Sequence, residues 1–356
     1  MSFERWRDFV SDSMAIDIGS TSVIIAVRGR GVVVDEPAVV AVNKLSGEAV
    51  AFGREAHDML GRESRDVSLV SPLVDGVVAD FERTQKMLDQ FVRRARSGIS
   101  HFSRRAVMSV LSGITQVEQR ALLAAAEQAH IGRGYMVEEG LAAAIGAGVS
   151  IEDKRASAVV DIGGGTTNVA VVARGMIVYA QAERIGSLDI DDAIINRLRR
   201  HHGLIIGHPT AERLKIELAS AIEPANAALS LEIKGRDVQT GSPRAVMVTS
   251  EEVCVAAEGV IKRLARVVNR ALGELQPEVA ADIYDRGLVL SGGGALLDGL
   301  VEFLQRETKL HAHMTDNPRY AIVRGLSQLF DEPLLLRRVA RNEQSHLLDE
   351  VAGAQE

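Results

Sequence analysis

The chain has 356 residues, enough for two domains of ordinary size, with a globular apolar share rich in Ile, Val, Leu and Ala. A net charge of −7 and an aromatic content of 4% exclude the basic footprint and stacking platforms of a nucleic-acid binder. The single Cys254 excludes an internal disulfide framework and fits a reducing cytoplasm; no apolar run nears a membrane span, and no secretory core opens the chain.

The first ten residues place Phe3, Trp6 and Val10 on one helical face, with Phe9 at its edge and Arg5 and Arg7 flanking. This reads as a short interfacial membrane anchor, weak singly and stronger in many copies. A strand from Met14 then leads to Asp17-Ile-Gly-Ser-Thr-Ser22 and returns through Val27. Residues 31–41 read as a further strand pair. Residues 43–70 mix strand, turn and short helix, so a small subdomain is expected over about 31–70. Helix is expected at 80–96, with Met87, Leu88, Phe91 and Val92 on one face, and strand at 105–111. Thr115 and Glu118 form a capping-box pattern opening a helix to 129. A short strand at 136–138 and an Ala-rich helix at 141–147 close the first half.

The second half repeats the plan. Its hairpin, about 157–182, carries Asp161-Ile-Gly-Gly-Gly-Thr-Thr167. Helices are expected at 189–200 and 210–222, strands near 227–233 and 245–248, and a long helix over 250–275. A buried strand at 287–290 ends in Ser291-Gly-Gly-Gly294, followed by helix 295–307. The organisation predicted is α/β: anchor 1–13, lobe I 14–148, lobe II 149–335 with a second insert at about 183–245, and a polar tail 336–356. The last helices of lobe II are expected to return towards lobe I.

Duplication is the most informative signal. Each hairpin tip joins an Asp to backbone N–H groups in a turn of small residues. Such a turn cradles an anion, and the Asp suits a hydrated divalent cation. Asp17 and Asp161 are therefore the expected metal-side acids. Gly19, Ser20, Thr21, Ser22, Gly163, Gly164, Gly165, Thr166 and Thr167 are the expected phosphate cradle. Gly292, Gly293 and Gly294, at a strand end, suit an anion or a flat base. Glu118, one turn into its helix, is either a water-orienting carboxylate or only the cap partner of Thr115. Glu212 and Lys215 share a helix face and either reach a ribose or form a solvated pair. The histidines show no metal spacing.

These residues resemble the actin, sugar kinase and heat-shock chaperone ATPase superfamily, and within it are similar to the MreB family of bacterial actins. The motifs include Val32-Val-Val-Asp-Glu-Pro-Ala-Val-Val-Ala41, Asp75-Gly-Val-Val-Ala-Asp80, Gly113-Ile-Thr-Gln-Val-Glu118, Asp161–Thr167, Thr210-Ala-Glu-Arg213 and Arg286–Leu297. The resemblance runs from about Met14 to Leu329. It implies an actin-like fold of two duplicated lobes, each a mixed sheet flanked by helices with a smaller inserted subdomain. It also implies ATP with Mg²⁺, slow ATP hydrolysis with Glu118 as water-orienting acid, and nucleoside contacts at Glu212, Lys215 and 292–294.

The partners implied are further copies of the chain in head-to-tail filaments, the inner face of the cytoplasmic membrane, and membrane proteins of the cell-wall elongation machinery. A second lipid contact is implied at Ile99 and Phe102. The protein would then be cytoplasmic, peripheral to the inner membrane, and would direct cell shape. Departures are Ser22-Val23 for Asn-Thr, Asn168 for Glu, Ser187-Leu188 for Gly-Asp, and Leu111 and Gly140 each for Pro. They suggest a divergent member or second paralogue; the alternatives to the filament reading are a paralogue that binds but barely hydrolyses ATP and a non-polymerising actin-fold scaffold of the pilus-assembly type.

Overall fold

The computed structural model describes residues 13–96, 105–131, 133–223 and 229–341. The expected membrane contacts at Phe3, Trp6, Phe9, Val10, Ile99 and Phe102 lie outside the described residues.

Lobe I begins with β1 (Met14–Ile18), β2 (Ser22–Val27) and β3 (Gly31–Pro37), an antiparallel meander. Every residue of β1 is buried, as expected of a central strand covered on both faces. The strands β4 (Val40–Asn43), β5 (Ala49–Phe52) and β6 (Val67–Val70), with helix α1 (Arg54–His57) after β5, make a small antiparallel sheet of their own. The strand pair expected over 31–41 is thus divided between two sheets. The break falls at Pro37-Ala38, where the Ala38 N–H leaves the ladder and donates to the Thr21 carbonyl.

A two-residue-strand hairpin, β7 (Leu73–Val74) and β8 (Val77–Val78), precedes α2 (Phe81–Arg96), which buries Met87, Leu88, Phe91 and Val92. Next come β9 (Arg105–Val110), α3 (Gln116–Gln128), β10 (Arg133–Glu138) and α4 (Glu139–Gly146). Both late strands add in parallel, giving the order β10-β9-β1-β2-β3.

Lobe II repeats this with β11 (Ser157–Ile162), β12 (Thr167–Ala173) and β13 (Met176–Glu183). Its insert holds α5 (Ser187–His202), β14 (Leu204–Ile205), α6 (His208–Leu218), β15 (Ser230–Asp237) and β16 (Pro243–Thr249). The chain continues through α7 (Ser250–Gly273), α8 (Pro277–Arg286) and β17 (Leu288–Ser291). Among the described residues the last elements are α9 (Leu300–Thr308), β18 (Ala312–Met314), α10 (Ala321–Gln328) and α11 (Pro333–Val339). The sheet order is β13-β12-β11-β17-β18, the same path as in lobe I, with β17 and β18 parallel to β11. The duplication read in two hairpins therefore extends to whole sheets.

The helix expected over 295–307 starts only at Leu300, after a 3-10 turn at Gly293–Leu296. Gly299 has φ +67°, outside the helical region, and the Asp298 carbonyl is taken by the Ala221 N–H. That bridge also stops the preceding insert helix at Leu218, short of the expected residue 222.

Each lobe has its own apolar core, and a third lies between the sheets. There the lobes exchange helices. The helix α4 of lobe I packs on β11 and β12, while α10, arriving from lobe II, packs on β1, β2 and β9. The two helices cross at backbone contact. An added Cβ at Gly146 would lie 1.7 Å from the Ala321 carbonyl oxygen, and one at Gly325 would lie 1.8 Å from that of Ala142.

Candidate functional site

Asp17 and Asp161 are the penultimate residues of β1 and β11, where each strand runs out into its turn. Parallel pairing sets a serine beside each. Ser109 Oγ on β9 donates to Asp17 Oδ1 at 2.9 Å, and Ser291 Oγ on β17 donates to Asp161 Oδ1 at 2.7 Å. Both turns close with the same backbone bond, Gly19 N–H to the Ser22 carbonyl at 3.0 Å and Gly163 N–H to that of Thr166 at 2.8 Å. The tips meet: a Cβ at Gly164 would fall 2.0 Å from Thr21 Cγ2, and one at Gly165 would lie 3.4 Å from Ser20 Cβ. The β7–β8 turn covers their side. Its Gly76 N–H donates to Ser20 Oγ at 2.7 Å, and Asp75 faces Arg184 of lobe II at 3.8 Å.

A third acid joins these two. Glu139, first residue of α4, is buried, and its carboxylate accepts from Asn168 Nδ2 at 2.7 Å. Asn168 is the cross-strand partner of Asp161, so the bond brings Glu139 to the same face of the lobe II sheet. Burial drives all three acids towards the neutral form. Asp17 rises from its ordinary 3.8 to about 7, against the Ser109 bond and the positive charge of Arg319, with Asp161 adding repulsion. Asp161 rises to about 6 through burial, opposed by Ser291. Glu139 is raised well above the usual carboxylate range by burial, then by Asp17 and Asp161, against the Asn168 bond. These acids at the junction of two lobes favour bound protons when no counter-charge is present.

The glycine turn after β17 lies against the second hairpin. A Cβ at Gly292, whose φ is +83°, would sit 2.3 Å from the Ile162 carbonyl oxygen, and one at Gly294 would sit 2.5 Å from Ile162 Cγ2. Gly293 is exposed, with nothing within 4 Å of an added Cβ. The turn thus offers one bare backbone face. It opens a 3-10 turn and not the α-helix expected, so its anion affinity rests on local N–H groups without a helix dipole.

Three expected roles change. Glu118 is not brought to the acids. Its Oε2 accepts from Thr115 N–H at 2.9 Å and from Thr115 Oγ1 at 2.7 Å, a complete capping box that lowers its pKa. Thr167 is fully buried and its hydroxyl donates to the Ile185 carbonyl at 2.7 Å, which removes it from the phosphate cradle. Lys215 Nζ is held by Asp191 Oδ2 at 2.9 Å and the Ser187 carbonyl at 3.3 Å, leaving exposed Glu212 as the polar group of that face. Lys215 thereby steadies the first turn of α5, whose Ser187 and Leu188 N–H groups donate to the Gly163 and Gly164 carbonyls. The departures at 187–188 still close on the glycine turn through backbone.

Ser109, Ser291 and Glu139 escaped the sequence reading. The serines end the matching strand segments Ala106-Val-Met-Ser109 and Leu288-Val-Leu-Ser291, a second copy of the repeat. Glu138-Glu139 is a charged pair set between an apolar strand and an Ala-rich helix. Its cost of burial was the available signal.

Residues 11–337 match the family model described as MreB/Mbl protein. The chain is 41% identical over 333 residues to the cell shape-determining protein MreB of Pasteurella multocida, covering 91% of this chain and 94% of that protein. It is 38% identical over 318 residues to Mbl of Bacillus subtilis, covering 89% and 95%. Among solved structures, MreB5 of Spiroplasma citri bound to ADP superposes with a TM-score of 0.86 at 30% identity, covering 92% and 98% of the two chains. A MamK double helical filament subunit, at 21% identity and TM-score 0.74 over 90% and 99%, shares the fold. With its duplicated sheets, exchanged helices and paired acidic hairpins, the chain belongs to the MreB/Mbl family of bacterial actin homologues.

Proposed function

We propose that this protein is a cytoskeletal, cell shape-determining actin homologue that binds Mg²⁺·ATP between its lobes and hydrolyses it slowly. The observation that carries the reading is the pair of Asp–Ser units, one per lobe, beside abutting N–H-rich tips, with Glu139 bonded to the strand partner of Asp161. MreB5 of Spiroplasma citri has been solved with ADP and with AMPPNP, which supports a nucleotide in this cleft.

The donor set fits a hydrated ion. Among the described residues no cluster of three or more His, Cys, Asp or Glu could cage a metal directly. Two acids from opposite sides suit Mg²⁺, which keeps waters and phosphate oxygens as ligands. Such an ion would neutralise phosphate charge and draw Asp17 and Asp161 into their ionised forms. Gly19–Ser22 and Gly163–Thr166 would donate to phosphate oxygens. Glu212 and the bare face of Gly293 would meet the nucleoside.

We assign the water-orienting role to Glu139 in preference to Glu118. Its raised proton affinity suits a group that accepts a proton, and Asn168 fixes its carboxylate. Calorimetry with Mg²⁺·ATP tests the binding. Phosphate release tests the role: Glu139→Gln should keep binding and slow turnover by about a hundredfold or more, whereas Glu118→Ala should leave turnover unchanged.

Head-to-tail self-association, which does not close, would make filaments. Phe3, Trp6, Phe9 and Val10, with Ile99 and Phe102, would seat them on the inner face of the cytoplasmic membrane, beside proteins of the wall-elongation machinery. Among the described residues no helix is long and apolar enough to cross a membrane.

A further inference from the structure

The antiparallel ladders set Asp17, Ile24 and Asp35 in one row across β1, β2 and β3. Directly opposed residues project to one face, so Asp35 stands on the face of Asp17, two strands or about 10 Å away. Glu36, on the opposite face, confirms the alternation, since it binds Arg94 of α2 at 3.0 Å and the Arg54 N–H at 2.6 Å. Ile24 belongs to the apolar cluster between the lobes, so the Asp35 face is the inter-lobe face.

Asp35 is gripped there by two successive residues arriving from lobe II. Arg319 Nη2 donates to Oδ1 at 2.6 Å and Tyr320 Oη donates to Oδ2 at 3.0 Å. Both lie in the 3-10 turn Pro318–Tyr320, just before α10. The first residue of that turn gives its carbonyl to the Gly292 N–H at 2.9 Å. An unbroken chain of contacts therefore runs from the row of Asp17, through Asp35 and Arg319–Tyr320, to the glycine turn of the opposite lobe.

We propose that Asp35, Arg319 and Tyr320 form an inter-lobe latch that sets the position of the Gly292–Gly294 turn relative to Asp17 and thereby tunes nucleotide affinity. These are positioning residues, since none is itself part of the phosphate cradle. A half-exposed ion pair alone contributes little to stability. Here one carboxylate takes donors on both oxygens, and those donors hold the turn that supports Gly292. The effect belongs in cleft geometry more than in global stability. The inference deepens the nucleotide reading and rests on it for its affinity arm only.

The test uses the full chain with Asp35→Asn, Arg319→Leu, the double variant and Arg319→Lys. Hydrogen–deuterium exchange without nucleotide reports on the latch directly. Peptides covering 288–297 and 318–324 should exchange faster in Asp35→Asn and Arg319→Leu, and near the wild-type rate in Arg319→Lys. Affinity for a fluorescent ATP analogue with Mg²⁺ should fall about fivefold in each single variant and no further in the double. Unchanged exchange at 288–297 in both single variants overturns the latch, whatever happens to affinity. Faster exchange with unaltered or additive affinity losses overturns its role in tuning the site. Faster exchange in a protein whose wild type binds no Mg²⁺·ATP supports the latch and refutes the nucleotide reading instead.

Discussion

At the scale of single residues, the cleft is built from acids kept near neutrality by burial. Asp17 and Asp161 have folded pKa values near 7 and 6, above their ordinary 3.8. The folded protein therefore holds more protons than the unfolded chain between these limits. Without nucleotide, their contribution to stability is full below about pH 4 and is lost as pH rises through 6 to 7. For Asp17 the full loss is about 4 kcal/mol, at about 1.36 kcal/mol per pKa unit. Asp17→Asn should accordingly flatten the fall in melting temperature between pH 5 and pH 8 and raise it at pH 8. It should also weaken Mg²⁺·ATP binding strongly. An unaltered slope in denaturation curves would show that another group carries the pH dependence. Removing Mg²⁺ from the wild type with a chelator should restore the steep slope, because the ion favours the ionised acids.

Secondary-structure elements bear on the joint between the lobes. The helices α4 and α10 touch through backbone at Gly146 and Gly325, and each rests on the sheet of the other lobe. An added methyl has no flexible side chain to displace, because it meets carbonyl oxygen. Gly325→Ala should force the helices apart and cost about 3 kcal/mol in urea unfolding, with slower nucleotide-dependent assembly in light scattering. Gly259→Ala, in α7 with open space around it, is the matched control and should be neutral or slightly stabilising. Equal effects at the two sites would remove the joint from the account.

For the whole molecule, the proposed anchor at residues 1–12, weak in a single copy, would make membrane attachment a property of the filament. Many linked copies raise avidity without new contacts. Deleting residues 1–12 should leave Mg²⁺·ATP-dependent pelleting intact and abolish co-sedimentation with anionic vesicles. Full-length protein held monomeric should bind vesicles poorly. Strong vesicle binding by the monomer would place the lipid contact elsewhere.

The family, the α/β class, the two hairpins and the acids at their tips are legible in the sequence. Those features are local: an apolar run, an Asp and a small-residue turn recur within a dozen residues, and helix caps such as Thr115–Glu118 depend on neighbours three positions apart. Which carboxylate joins the acids depends on long-range packing. Glu118 satisfied a local rule and was consumed by it, whereas Glu139 reaches Asn168 across 29 positions of sequence. The same holds for Ser109, Ser291 and the grip of Arg319 and Tyr320 on Asp35. Each depends on strand order and register, which arise from burying two sheets around exchanged helices. Periodicity records which face of a strand is apolar, but not which strand lies beside it.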